Sequence, residues 1–205
     1  MDTQDPLRSL QLEVARLREE NRSLKDELTV LRGALRGLDS LHGVIQRIQP
    51  GVDVLQLLDD LLASALAVVA ARDGSLLLLD DETGELVFAV VHGAARERLR
   101  GFRLPPGRGI AGWVAANRQP QIVHDAHTDS RFFPGVDETL GFETHTLACV
   151  PLMDGNRVLG VIEAINKTTE RDFSAQDHDL LLVVAMLASV ALRRAEATTE
   201  EPAAA

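Results

Sequence analysis

Thr146-Leu-Ala-Cys-Val-Pro-Leu152, the turn Asp154-Gly155-Asn156 and Val158-Leu-Gly-Val-Ile-Glu-Ala-Ile165 form the stretch on which the fold turns. Two apolar runs of strand length on either side of a glycine-containing turn predict a β-hairpin with nearly continuous apolar strands. Upstream the same grammar recurs. Ser75 to Leu79, the turn Asp81-Glu82-Thr83-Gly84 and Leu86 to Val91 predict an earlier hairpin. Leu99 to Leu104 reads as a third strand, ended by Pro105-Pro106-Gly107 before a helical stretch from Ile110 to Asn117; Gln121 to His124 reads as extended. Asp125 to Thr144 is polar and punctuated by aromatics, the mark of a binding loop in a compact domain. Helices enclose the set. Pro50 and Gly51 break one helix, and Asp53 with Gln56 starts another by a capping-box arrangement, running to about Ala71. Phe173 and Ser174 open a last helix, apolar on nearly all sides to about Arg194. The expected class is α+β: an antiparallel β-sheet flanked by helices.

Ahead of Pro50 the periodicity changes to seven. Leu10, Leu17, Leu24, Leu31, Leu38 and Ile45 form one row, and Leu7, Val14, Asn21, Leu28, Leu35 and His42 a second, four residues behind. Alternating steps of three and four predict a supercoiled helical seam. Asn21 on the seam satisfies its amide best against another Asn21 at the same height, which favours a parallel homodimer. The flanking charges agree, because Glu13, Glu20 and Glu27 would face Arg18, Lys25 and Arg32 of the partner. The expected interface is Leu10, Val14, Leu17, Asn21, Leu24, Leu28 and Leu31. Gly33, Gly37 and Gly43 weaken the second half of this helix, each by about 1 kcal/mol against alanine. The expected layout is a coiled coil over 7–49, a domain over 50–197 and a frayed tail over 198–205.

The formal charge of −10 opposes non-specific binding to nucleic acid or anionic lipid. No basic helix precedes the leucines, as a DNA-binding zipper requires. The apolar stretches Leu61 to Ala71 and Leu180 to Leu192 are too short for a bilayer, which needs about 20 residues. One cysteine, Cys149, allows no intramolecular disulfide, and no stretch resembles a signal peptide, so a cytoplasmic protein is expected. Basic residues are nearly all arginine, with lysine only at positions 25 and 167, which suits a GC-rich bacterial genome.

The run Gly109-Ile-Ala-Gly-Trp-Val-Ala115, then Pro120, Val123 and Asp125, Asp129-Ser-Arg-Phe132, Asp137, Gly141-Phe-Glu-Thr144, Val150-Pro-Leu152, Gly160-Val-Ile-Glu163 and Asn166-Lys167 resembles a GAF domain. The likeness covers about residues 50 to 195. It is most similar to the GAF modules of cyclic-nucleotide phosphodiesterases and adenylyl cyclases, whose Asn-Lys, Phe and Asp-Glu motif stands here as Asn166, Lys167, Phe173, Asp177 and, in the last place, His178. The resemblance implies a pocket between sheet and loops. Carried over position by position, it implies ligand contacts at Ser75, Ile110, Ala111, Phe133, Asp137, Thr144 and Glu163. Ile110 and Ala111 open a short helix, whose free N–H groups suit an anion. Val91 replaces an aromatic that stacks on the base in nucleotide-binding members, and Leu140 replaces a threonine. Independently of the family, Lys167 at a strand end and Asp177 in the first turn of the next helix would form an ion pair clamping strand to helix; Asp177 also suits a cap with Ser174.

His124, Asp125, His127 and Asp129 lack a helical ligand spacing, so capping and surface roles are expected and no metal site. His145 precedes a strand where some family members bind haem nearby, and a structural histidine is the simpler expectation. Reductases for free methionine sulfoxide on this fold need several cysteines, and this chain has one. Arg96, Arg98, Arg100, Arg103 and Arg108 form a basic stretch beside the expected pocket, able to draw an anion or merely to solvate a strand. No nucleophile triad, phosphate loop or kinase box is present, so no enzyme is expected. The reading is a dimeric sensor of a small molecule, with a cyclic nucleotide as the candidate ligand and no cofactor, that signals through an effector protein. The alternative is a ligand-free adaptor or scaffold.

Overall fold

The computed structural model describes residues 8–25, 28, 43, 53–168 and 172–200, with the side chains of residues 139, 140 and 198–200 left aside. Residues 8–25 form a helix, α1. Its heptad residues Leu10, Val14, Leu17 and Leu24 are all exposed, as is Leu28 beyond it. Arg16 on α1 bonds Glu13 at 2.8 Å and Glu20 at 3.2 Å within the same helix. Of the expected interface, Leu31 lies outside the described residues.

Helix α2 (Val54–Val68) starts where Asp53 Oδ1 accepts the amides of Leu55 at 3.0 Å and Gln56 at 3.3 Å. The Gln56 side chain turns forward to Asp60 rather than back, so the reciprocal half of the capping box is not made. Leu57, Leu58, Leu61, Leu62, Ala65 and Leu66 recur at helical spacing and bury one stripe. The chain then reverses at Ala70, whose φ is +52°, and β1 (Ala71–Leu79) begins at once. The strand therefore starts four residues ahead of the expected Ser75. Asp73 and Gly74, ahead of the expected start, sit inside it. A side chain at Gly74 would lie 2.5 Å from Leu66 Cδ2 and 2.6 Å from the Glu163 carbonyl oxygen, so glycine is there to let α2 rest on the strand.

β2 (Leu86–His92) pairs antiparallel with β1. The third strand is shorter than expected. Leu99 ends a helical turn, α3 (Arg96–Leu99), and only Arg103–Leu104 forms β3, because Gly101 at φ +81° breaks the extended run. Helix α4 (Gly109–Asn117), β4 (Gln121–Val123), a 3-10 turn (Ala126–Thr128) and α5 (Gly135–Leu140) follow. The decisive hairpin is β5 (Leu147–Asp154) with β6 (Arg157–Lys167), and α6 (Ala175–Glu200) closes the chain. The sheet has six strands in the order β3-β2-β1-β6-β5-β4, with every pairing antiparallel.

Alternation along the central strands separates two cores. Leu76, Val150 and Ile162 face α2 and α6, meeting Leu58, Leu62, Leu181 and Ala188. Leu77, Cys149 and Val161 face α3, α4 and the loops, meeting Phe88, Ile110 and Val114. Lys167, at the end of β6, contacts the Asp177 carboxylate, and both side chains are only 12% exposed. Asp177 also accepts the Ser174 amide at 2.7 Å and hydroxyl at 2.8 Å, while its own N–H reaches Ser174 Oγ at 3.3 Å. Clamp and cap are thus one cluster.

Removing one partner of a nearly buried pair strands the other charge. Asp177→Ala should therefore lower unfolding free energy by about 3–5 kcal/mol in urea titration. Asp179→Ala, at a solvated position next along α6, should stay within about 0.5 kcal/mol.

Candidate functional site

The antiparallel register sets Val91, Ser75, Glu163, Cys149 and Gln121 opposite one another in one row across β2, β1, β6, β5 and β4. The middle of this row faces the loops. Ser75 and Glu163, 2% and 8% exposed, form the floor of a cavity, and the Ser75 hydroxyl donates to Glu163 Oε2 at 2.9 Å. Opposite, Asp137 on α5 holds Thr144: one oxygen accepts the Thr144 amide at 2.7 Å, the other its hydroxyl at 3.0 Å. Ile110 and Ala111 enter from the first turn of α4, where Arg108 offers no side-chain cap. Gly112 keeps that turn tight, since a methyl there would stand 2.6 Å from the Gly107 carbonyl carbon. Phe133 closes the mouth, with the Arg108 guanidinium 4.9 Å from its ring centre.

All seven residues singled out as ligand contacts, Ser75, Ile110, Ala111, Phe133, Asp137, Thr144 and Glu163, therefore line one cavity. Lys167 at the end of β6 and Asp177 in the first turn of α6 do not line it, and neither do His124 and His127. Four of the chain's six phenylalanines, at positions 88, 132, 133 and 142, join Val91, Leu99, Leu104 and Val136 in its walls. The walls are thus apolar, and the polar groups are few and convergent, as in small-molecule sites. The cavity gives the centre of a water molecule about 80 Å³ to move in. That is room for a handful of waters, at roughly 10–15 Å³ each.

Burial pushes the Glu163 carboxyl up to about 7, with the nearby Asp137 charge adding to the rise and the Ser75 hydrogen bond opposing it. Near neutrality Glu163 is both donor and acceptor. Burial, and then the Glu163 charge, also raise the Cys149 thiol well above its usual range, so it stays protonated and unreactive.

Sequence patterns missed what holds the loop over this cavity. Arg131 forks onto Asp129, with Nε to Oδ1 at 2.9 Å and Nη2 to Oδ2 at 2.6 Å, sends Nη1 to Gln121 Oε1 at 2.9 Å, and lies 4.7 Å from the Trp113 ring centre. Asp129 is held below the usual carboxylate range by Arg131. The loop carrying Phe132 and Phe133 is thereby tied to α4 and β4. The signal was present in Asp129-Ser-Arg131, two residues apart and able to meet within one turn. The basic stretch, by contrast, is partly tied up in ion pairs: Arg103 bonds Asp80 at 2.8 Å and Glu85 at 2.7 Å, and Arg96 reaches Asp59 at 3.4 Å.

The sequence profile of the GAF domain matches residues 53–192. The chain belongs to the GAF domain family. Among curated relatives, it is 27% identical over 171 residues to the probable 3',5'-cyclic phosphodiesterase pde-5 of Caenorhabditis elegans, covering 82% of this chain and 22% of that protein. It is 36% identical over 85 residues to the cone cGMP-specific 3',5'-cyclic phosphodiesterase subunit alpha' of Mus musculus, covering 42% of this chain and 10% of that protein. The GAF chain thus spans about a fifth or less of these relatives. A solved GAF domain from a phosphoenolpyruvate-protein phosphotransferase of Coxiella burnetii superposes with a TM-score of 0.71 at 22% identity, covering 82% of this chain and 99% of that one. The free methionine-R-sulfoxide reductase of Neisseria meningitidis, solved with its substrate, gives 0.66 at 20%, covering 80% and 92%. These likenesses concern the GAF fold, which serves regulatory modules and at least one enzyme.

The raised Glu163 carboxyl has a thermodynamic consequence. The folded state holds this proton more tightly than the unfolded state, so between the unfolded value of 4.5 and the folded value near 7 stability falls as pH rises. Glu163→Gln should remove this dependence and stabilise the domain at pH 8, relative to its effect at pH 4, by about 3 kcal/mol. Urea titrations of both proteins at pH 4, 6 and 8 check it.

Proposed function

We propose that this GAF protein is a dimeric sensory or regulatory module that binds a small molecule in the cavity above Ser75 and Glu163 and acts through a partner protein. The observation that carries the reading is the convergence of Ser75, Asp137, Thr144 and Glu163, from four separate segments, on one apolar-walled cavity. A cyclic nucleotide is the ligand class favoured, because the related proteins include phosphodiesterases described as cyclic and cGMP-specific. The base edge would meet Asp137, Thr144 and Glu163, which offer acceptors, a hydroxyl and a shared proton. The phosphate would meet the uncapped start of α4 at Ile110 and Ala111. Phe88, Phe132 and Phe133 supply ring surface where Val91 has none. A nucleotide needs more room than the cavity's about 80 Å³ for water centres, so α5 and the 129–144 loop would shift to admit it.

Pairing with a second copy along Leu10, Val14, Leu17, Asn21, Leu24, Leu28 and Leu31 would bury Leu10, Val14, Leu17, Leu24 and Leu28, which the single chain leaves exposed. The dimer would then carry the signal in a cytoplasmic setting. Among the described residues no helix is long and apolar enough to cross a membrane. A regulatory role is preferred over catalysis because the one thiol, Cys149, is fully buried. The absence of an aromatic at Val91, together with the small cavity, favours a second reading in which the domain is a ligand-free adaptor.

Thermal unfolding against a panel of cyclic mono- and dinucleotides separates the two. A ligand at a hundredfold over its Kd should add about 2.7 kcal/mol of stability, and Asp137→Ala or Thr144→Ala should abolish the gain. No shift across the panel favours the adaptor. For the pairing, sedimentation should give a dimer, and Asn21→Leu should raise its stability while loosening its oligomer specificity; a monomer refutes it.

A further inference from the structure

Thr144 faces the cavity, and its two neighbours do not. Glu143 and His145 project to the outer surface, where His127 from the 3-10 turn Ala126–Thr128 meets them. One ligating atom from each of His127, Glu143 and His145 lies within 4.8 Å of the others. His145 Nε2 is 3.7 Å from Glu143 Oε2, and the rings of His127 and His145 stand edge to face with centroids 6.3 Å apart.

We propose that His127, Glu143 and His145 form a binding site for a divalent transition-metal cation of the zinc class, which staples the segment before β5 to the turn after β4. Two imidazoles and one carboxylate are a donor set that zinc takes with a fourth position left for water or an incoming group. Calcium and magnesium prefer several oxygens, and this cluster offers imidazole in two of three places. A tetrahedral ion at about 2.0–2.1 Å from each donor holds the donors about 3.3 Å apart. Rotation of exposed side chains closes that gap, because the backbones beneath are already fixed. Ala126 N–H donates to the His145 carbonyl at 2.8 Å, and Asp125 Oδ1 accepts the His127 amide at 3.1 Å. Asn166, at φ +55°, accepts the His145 amide at 2.8 Å and donates to the Glu143 carbonyl at 2.7 Å. Only side-chain torsions remain to be ordered, which favours binding. The spacing hid this set: His127 looked toward His124, Asp125 and Asp129, whereas its companions follow α5.

An ion there would hold both neighbours of Thr144, and through Thr144 the Asp137 carboxylate on α5. The cation would thereby stiffen the cavity's lid from outside. This inference stands whatever the cavity binds.

Full-length protein stripped with a chelator and titrated with zinc chloride in a calorimeter tests it. Binding of about one ion per chain is expected, with His127→Ala and His145→Ala each weakening it by more than the roughly 10–100-fold typical for loss of an outer-sphere partner. His124→Ala and His178→Ala should leave it unchanged. Absence of binding heat overturns the site, as does affinity that survives both His127→Ala and His145→Ala or that falls equally with His124→Ala. Zinc should also slow amide exchange over residues 141–146 in the unaltered protein and not in His145→Ala. Unchanged exchange on a zinc-bound protein overturns the staple. His124, His127 and His145 are exposed and His178 is half-buried; circular dichroism verifies that each variant folds.

Discussion

The register between β1 and β6 is the constraint from which the other layers follow. Ser75 opposite Glu163 sends Val161 and Glu163 of β6 toward the loops and Ile162 and Ala164 toward α2 and α6. A slip of one residue would put Glu163 among the leucines of the helical layer and Ile162 in the cavity. Glycines at the closest approaches hold this register. A side chain at Gly160 would sit 2.0 Å from the Leu77 carbonyl oxygen, and Gly74 admits Leu66. Register, then, decides both the core and the chemistry of the floor.

The hairpin strands and the flanking helices were legible because each depends on local pattern, and the positions lining the cavity because the resemblance to a GAF domain implies them. The apolar runs of β5 and β6 leave one arrangement, and Asp53 and Ser174 mark helix starts through groups that reach only two or three residues. What escaped depends on chain reversals. Ala70 adopts a left-handed conformation without being glycine, which let α2 end early and β1 begin at Ala71. Gly101 did the opposite, interrupting an apolar run that reads as a strand. The lid was legible in composition, as an aromatic-punctuated polar stretch, and not in its ties, because Arg131 reaches Gln121 and Trp113 across elements.

The site balances two demands. A buried carboxyl opposes folding when charged, so Glu163 is a local liability that the hydroxyl of Ser75 only partly relieves. Such liabilities mark places where a ligand can supply the missing partner. Asp137 differs: both its oxygens are engaged by Thr144, so its charge is satisfied within the lid. Glu163 is open to a newcomer, while Asp137 holds the door.

Gly74 has a mechanical meaning as well. With no side chain at Gly74, the Leu66 side chain of α2 packs directly on the strand backbone beside the Glu163 carbonyl, so helix and floor move together. A displacement of the cavity floor at Glu163 would therefore be felt first at Leu66 of α2. The smallest residue in the strand is, in that sense, the stiffest joint.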